Sequence, residues 1–428
     1  LSLTIILEKI LSDSLIQKGK TEIGKISTDT RILEKGALFL ALTGEKFDGH
    51  DFLQAALEKG AGGILIQKNH IPDNLPSNIW CFAVEDTLKA YQDIAMAVLE
   101  AKKILKIAVT GTSGKTTTKE FIRALLSVRY KVFANQGNFN NQVGVPLSIL
   151  QTTDEEIGIF ELGAGKPGDI HRLSEIVKPD IALVTSIGEG HLEFFGSVEN
   201  VAKEKASIMD FGKQGFCPAD ILFPVWFSKF QKVNFSSFSR ILSTEDGYQI
   251  TIQNNTVFLP FWGEYNLFNF LTALTIALEL DVREDQIQDG INRIKLPSYR
   301  QEKKEKEGRI FYLDCYNANP LSMKSALSGF EKLEGEKIAV LGDMLELGRD
   351  EEVLHSEIGK FLNQFSFKKV LFYGRLMKKA FEAYQKEKNY FNDKNDLALF
   401  LKNESKKGDK IFIKASRGMK LEEIFNLY

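Results

Sequence analysis

Ile107-Ala-Val-Thr-Gly111-Thr112-Ser113-Gly114-Lys115-Thr116-Thr117-Thr118 runs from an apolar stretch through a glycine turn into the start of a helix. Such a turn wraps backbone N–H groups around an anion. Gly111 and Gly114 let the chain bend sharply and approach a phosphate, Lys115 reaches the terminal phosphates, and Thr116 offers a hydroxyl to the accompanying Mg²⁺. The usual G-x-x-x-x-G-K-[ST] spacing calls for glycine at 109. This chain has Val109 there, so the loop is a shorter T-G-T-x-G-K-T form. The expected ligand is ATP or GTP, held by Gly111, Thr112, Ser113, Gly114, Lys115, Thr116 and Thr117.

At 428 residues, a prior of about 150 residues per domain suggests three domains. Fifty-five Lys plus Arg stand against 57 Asp plus Glu, so no bulk attraction to nucleic acid is expected. Cys81, Cys217 and Cys315 share no metal or redox spacing and read as reduced, partly buried thiols. No uncharged apolar run reaches the roughly 18 residues of a membrane span. Ile221-Leu-Phe-Pro-Val-Trp-Phe is short and interrupted by Pro224, and the N-terminal stretch carries Glu8 and Lys9 without a signal-peptide cleavage site. A cytoplasmic protein away from membranes is the expectation.

The fold class read from the pattern is α/β in three domains. Residues 1–103 form a small α/β unit with strands at Ala37–Leu42 and Gly63–Ile66. Residues 104–298 form a central phosphate-loop unit, a mostly parallel sheet wrapped by helices, with an antiparallel insert expected over 213–262. Residues 299–428 form a Rossmann-like unit whose strands begin at Ile310, Lys337, Lys369 and Lys410. The charge-dense segment 301–308 reads as a solvated linker or hairpin tip.

Several strand-end loops carry candidate chemistry. Glu161, ending Gly158-Ile-Phe-Glu161, is either a surface carboxylate or an Mg²⁺ ligand. His191 lies in the glycine loop Ser186 to Gly196. On the following helix Val198, Val201, Ala202, Lys205, Ile208 and Met209 fall on one stripe, with Lys203 and Glu204 facing elsewhere. A buried, unpaired ammonium is costly, so Lys205 either snorkels to the edge or is altered. Carbamylation by CO₂ would make it an anion able to meet a second Mg²⁺ beside His191. Asn138, Asn140 and Asn141 are amides suited to phosphate and carboxylate oxygens, or to turn and cap chemistry. Asn266 and Asn269 share a helical face. Asn317 and Asn319 follow a strand. The acids Asp343 and Glu346 and the segment Lys414-Ala-Ser416-Arg417 mark strand-end loops of the third unit, where a small charged substrate would sit.

In this order the motifs resemble the Mur ligase family of bacterial cell-wall synthesis over nearly the whole chain. The forms Tyr316-Asn-Ala-Asn-Pro320 and Gly342-Asp-Met-Leu-Glu-Leu-Gly348 favour the member that adds D-alanyl-D-alanine to UDP-N-acetylmuramoyl-tripeptide. The resemblance implies that Ser27, Thr28, Arg31, Gly44, Phe47 and Asp48 hold the UDP end. Lys115, Glu161, His191 and Lys205 would be catalytic, with Thr116 and Glu161 on one Mg²⁺ and His191 with carbamylated Lys205 on the other. Asn266, Asn269, Arg300, Asp314, Asn317 and Asn319 would line the rest of the ATP site. The third domain, with Asp343, Lys414, Ser416 and Arg417, would bring in the dipeptide. The chain departs from the family at Tyr265 (usually His), at Ser298 or Tyr299 (Gly) and at Ala415 (Gly). The implied reaction is ADP-forming amide synthesis through an acyl phosphate by a monomer. Another Mur ligase, a folylpolyglutamate synthetase-like ligase, or a phosphate-loop switch protein are the alternatives.

Overall fold

The computed structural model describes residues 2–44, 47–233, 240–253 and 255–428. Among these residues, three sheets of five or six strands follow one another along the chain, with a three-stranded ribbon between the second and the third. The first sheet has the order Leu15–Gln17, Trp80–Val84, Gly63–Gln67, Leu38–Leu40, Ile26–Ser27. All its pairs are parallel except that with Leu15–Gln17.

The central sheet is wholly parallel. Its order is Phe230–Val233, Gln214–Pro218, Ile181–Val184, Leu105–Thr110, Ile157–Glu161, Val132–Ala134. The strand before the glycine turn therefore sits mid-sheet, and Ile107, Val109, Ile159 and Leu183 are buried on it and its neighbours. Such strands read as continuous apolar runs because helices cover both faces. One such run, Gln214–Pro218, corrects the expected insert. It joins the parallel sheet, and among the described residues the antiparallel ribbon is Arg240–Thr244, Gly247–Ile252 and Asn255–Leu259. So short a run suits a buried parallel strand as well as a hairpin, and periodicity alone does not separate the two.

In the third sheet the order is Glu302–Lys306, Arg309–Asp314, Lys410–Lys414, Lys337–Gly342, Lys369–Tyr373, Lys388–Phe391. The charged segment is an edge strand, antiparallel to Arg309–Asp314. Lysines and glutamates on an edge discourage pairing with another chain. Trp262 precedes the long helix Glu264–Glu279 of the central unit, yet its ring packs among Tyr312, Phe330 and Phe412 of the third sheet's core. The three thiols are buried and free. No helix among the described residues is long and apolar enough to cross a membrane.

Candidate functional site

The glycine turn leaves Leu105–Thr110 and enters the helix Lys115–Leu126, with Gly114 at φ +83° as its N-cap. A Cβ at Gly114 would lie 2.5 Å from Asn269 Oδ1, so glycine here serves both the left-handed backbone and the approach of the Asn269 amide. Thr185 and Ser186, following Ile181–Val184, brace the turn. Thr185 Oγ1 donates to Ser113 O at 2.5 Å, and Ser113 N donates to Ser186 Oγ at 3.0 Å. Thr112 is tied to Gly188, and Thr117 is buried at the helix start.

Lys115 Nζ bends back to Gly111 O at 2.8 Å. Burial lowers its pKa, Glu161 opposes that shift and the Arg300 charge adds to it. Thr116 Oγ1 donates to Glu161 Oε2 at 2.7 Å and accepts from Arg300 Nη2 at 2.8 Å. Asn140 Nδ2 donates to Glu161 Oε1 at 2.9 Å. Loop hydroxyl, strand-end carboxylate, loop amide and linker guanidinium thus form one hydrogen-bonded row. Glu161 is 3 % exposed, which excludes its reading as a surface carboxylate. Asn135, which sequence reasoning passed over, anchors this row: it accepts from Glu161 N at 2.8 Å and donates to Glu161 O at 3.1 Å. Its signal was a polar residue directly after the strand Val132–Ala134.

The other asparagines differ. Asn138 is exposed, and Asn141 Oδ1 accepts from Gly144 N at 2.8 Å as a helix-start cap. Asn266 Nδ2 donates to Gln301 Oε1 at 2.6 Å, joining the central helix to the linker. There Tyr299 and Gln301 both hold positive φ on either side of Arg300, whose guanidinium stacks on Tyr316 at 4.0 Å.

Lys205 lies on the helix Val198–Ala206 and is 2 % exposed. Its ammonium has no hydrogen bond or ion pair among the described residues. Burial and the Lys115 charge lower its pKa to about 7, against the pull of Glu204 and Asp169. Snorkelling is therefore not what this side chain does. Glu204, expected to face away, is also buried. It accepts from Gly168 N and Ile170 N, each at 2.8 Å, at the start of the helix Asp169–Val177. Backbone donors at that helix start reward a carboxylate there.

His191, at φ +53°, opens the short helix Leu192–Phe195. Its Nδ1 lies 2.7 Å from Glu346 Oε2 in the third unit.

In the third unit Lys414 Nζ donates to Asp314 Oδ2 at 2.6 Å and to Asn317 O at 3.1 Å, so these expected site residues engage one another. Asn319 caps the helix Pro320–Glu331 through Ser322 N at 2.8 Å. Ser416 Oγ accepts from Leu345 N at 2.9 Å, and Arg417 pairs with Glu422. The Asp343 carboxylate is buried and accepts from Met377 N at 2.8 Å.

In the first unit Ser27 Oγ and Asp29 shape a turn, and Arg31, largely exposed, pairs with Asp29 at 2.7 Å. Thr28 is half-buried beside them. Gly44 and Phe47 close a loop by a 2.9 Å backbone hydrogen bond, with the Phe47 ring exposed; Glu45 and Lys46 lie outside the described residues. Asp48, His50 and His70 cluster there within metal-ligand spacing. Both His50 nitrogens are engaged, by Asp48 Oδ1 at 2.5 Å and by Gln67 N at 3.0 Å, so the cluster reads as structural.

Residues 22–108 match the Mur ligase family catalytic domain, 109–277 the Mur ligase middle domain, and 299–417 the Mur ligase glutamate ligase domain. The chain is 37 % identical to the UDP-N-acetylmuramoyl-tripeptide–D-alanyl-D-alanine ligase of Bacillus subtilis, over 95 % of this chain and 93 % of that one. Among solved structures, MurF from Acinetobacter baumannii superposes with a TM-score of 0.90 at 28 % identity, over 99 % of this chain and 97 % of that one. MurF from Thermotoga maritima in complex with ADP gives 0.85 at 29 %, over 94 % and 96 %.

Proposed function

The chain belongs to the Mur ligase family, and from that membership we propose that it joins D-alanyl-D-alanine to UDP-N-acetylmuramoyl-tripeptide. It is an ATP-using ligase of small-molecule substrates, releasing ADP and phosphate and forming the pentapeptide precursor of peptidoglycan. The observation that carries the reading is the row Asn140–Glu161–Thr116–Arg300 set against the glycine turn, with the buried, unpartnered Lys205 in the same unit.

In this reading the backbone amides of 112–116 and the Lys115 ammonium receive the nucleotide phosphates. Thr116 and Glu161 supply the hard oxygens that suit Mg²⁺. Lys205 adds its neutral amine to CO₂, giving a carbamate and releasing one proton, and the new anion with His191 suits a second cation. Bound there, Mg²⁺ would neutralise charge shared between two anionic reactants.

The tripeptide carboxylate attacks the γ-phosphorus, forming an acyl phosphate as ADP leaves. The dipeptide amine then attacks the acyl carbon, and phosphate departs from the tetrahedral intermediate. The protein contributes no nucleophile. Lys115 and Arg300 offset developing negative charge on the phosphoryl oxygens, Asn140 orients Glu161, and Asn266 and Asn269 with Asp314, Asn317 and Asn319 border the nucleotide.

Ser27, Thr28, Arg31, Gly44, Phe47 and Asp48 receive the UDP end. Asn138, Asn141, Asp343, Lys414, Ser416 and Arg417 belong to the peptide side, where the pairings of Lys414 and Asp343 argue for framing the pocket instead of direct contact. We read the domains as 1–103, 104–298 and 299–428, acting as a cytoplasmic monomer. The test is phosphate release with ATP, the UDP-tripeptide and D-alanyl-D-alanine, against mixtures lacking either acceptor. Release only in the complete mixture is expected, and comparable release without the dipeptide would sink the assignment.

A further inference from the structure

His191 and Glu346 come from different units, 155 positions apart in the chain, and meet at 2.7 Å through Nδ1 and Oε2. Their loops meet as backbone as well as side chain. A Cβ at Gly348, itself at φ +65°, would stand 3.0 Å from Glu193 Cα, and one at Gly188 would stand 2.9 Å from Leu321 Cδ2. Glu346 holds φ +64°, a conformation that costs a non-glycine residue on the order of 1 kcal/mol or more and persists where surrounding structure enforces it. A half-exposed ion pair returns little stability of its own. The strained glutamate is therefore better explained by what it does to the imidazole. A carboxylate on Nδ1 fixes the proton there and leaves Nε2 as a lone-pair donor, and no described residue hydrogen-bonds to Nε2.

We propose that Glu346 is a positioning residue that holds His191 in the Nδ1–H tautomer with Nε2 presented to a divalent cation, so that the third unit completes a metal site in the central one. The proposal rests on the reading of His191 as a metal ligand. Without the Gly342–Gly348 loop docked, the imidazole is free to rotate and change tautomer, and cation affinity falls.

The test is Mn²⁺ binding to the full chain with ADP, followed by electron paramagnetic resonance, in the parent, Glu346→Ala, Glu346→Gln and His191→Ala. Glu346→Ala should weaken the His191-dependent Mn²⁺ by about 10- to 100-fold. Glu346→Gln, whose amide oxygen accepts the same N–H, should stay within about three-fold of the parent. Parental Mn²⁺ affinity in Glu346→Ala while His191→Ala loses it overturns the positioning role alone. Parental affinity in His191→Ala overturns the metal reading beneath it. ¹⁵N spectra of the imidazoles, assigned through His191→Ala, give a second measure. His191 should be the Nδ1–H tautomer in the parent and in Glu346→Gln. The Nε2–H tautomer in the parent would refute the proposal even if the alanine variant fails to fold.

Discussion

Lys205 in the central unit and Lys414 in the third unit are each 2 % exposed, and the molecule answers them in opposite ways. Lys414 meets Asp314 at 2.6 Å and a backbone carbonyl at 3.1 Å. Its charge is neutralised where it is buried, which makes it part of the frame. Lys205 has no such partner among the described residues, and the charge that shifts it most, Lys115, is of its own sign. A buried amine left unpaired is poised to be neutral and reactive, and the fold maintains that state at a cost. Burial of charge is thus a weak guide to chemistry, and lack of a partner is a stronger one.

The sharpest break of this contrast is Lys414→Ala. It leaves the largely buried Asp314 carboxylate alone, and about 3–5 kcal/mol of unfolding free energy should be lost, read by urea denaturation. Lys414→Met combined with Asp314→Asn should recover most of it. If Lys414→Ala is as stable as the parent, the pair is not structural and direct substrate contact returns.

Lys205→Ala should behave oppositely, with little change in stability and a loss of turnover on the order of 10²–10³-fold. Short carboxylates should restore part of that turnover. CO₂ adds only to the neutral amine, so with limiting bicarbonate the parent's activity should fall as pH drops through about 7. Activity indifferent to bicarbonate at every pH would count against the carbamate.

The smallest effect concerns Asp343, whose carboxyl pKa burial raises above 3.8. The folded state then holds a proton that the unfolded state has released, so its contribution to stability falls as pH rises through the folded value. Asp343→Asn keeps an acceptor for Met377 N–H and removes the penalty. Its melting temperature relative to the parent should rise as pH climbs above the ordinary carboxylate value of 3.8, by a few degrees at most. A relative fall over that range would point to a paired carboxylate.

What could be read from residues alone follows the distance over which the physics acts. The glycine turn was legible because strand, turn and helix start are consecutive, and each residue type has one local reason to be there. Lys205 was legible because helical spacing alone puts it among Val201, Ala202 and Ile208. Glu204 was not, because its partners are N–H groups of another helix more than thirty positions away. Lys414 and Asp314 look like two unrelated loop charges until the sheet pairs their strands in parallel and makes them register neighbours. Asn135 left only a faint mark, a polar residue directly after a strand, because its reason for being there is the backbone of the adjacent strand. The site's charged inventory was thus readable, and the division between residues that frame and residues left unpartnered needed the topology.

Trp262 has a consequence for how this protein can be taken apart. Its ring belongs by sequence to the central segment and by packing to the aromatic cluster of Tyr312, Phe330 and Phe412. A fragment starting at residue 299 would leave that cluster with a hole the size of an indole, and the complementary fragment would carry a large apolar ring into water. The sequence boundary and the packing boundary do not coincide. Swapping third units between relatives would succeed only when the tryptophan travels with the piece it packs against, so the true exchangeable module begins before the linker that appears to start it.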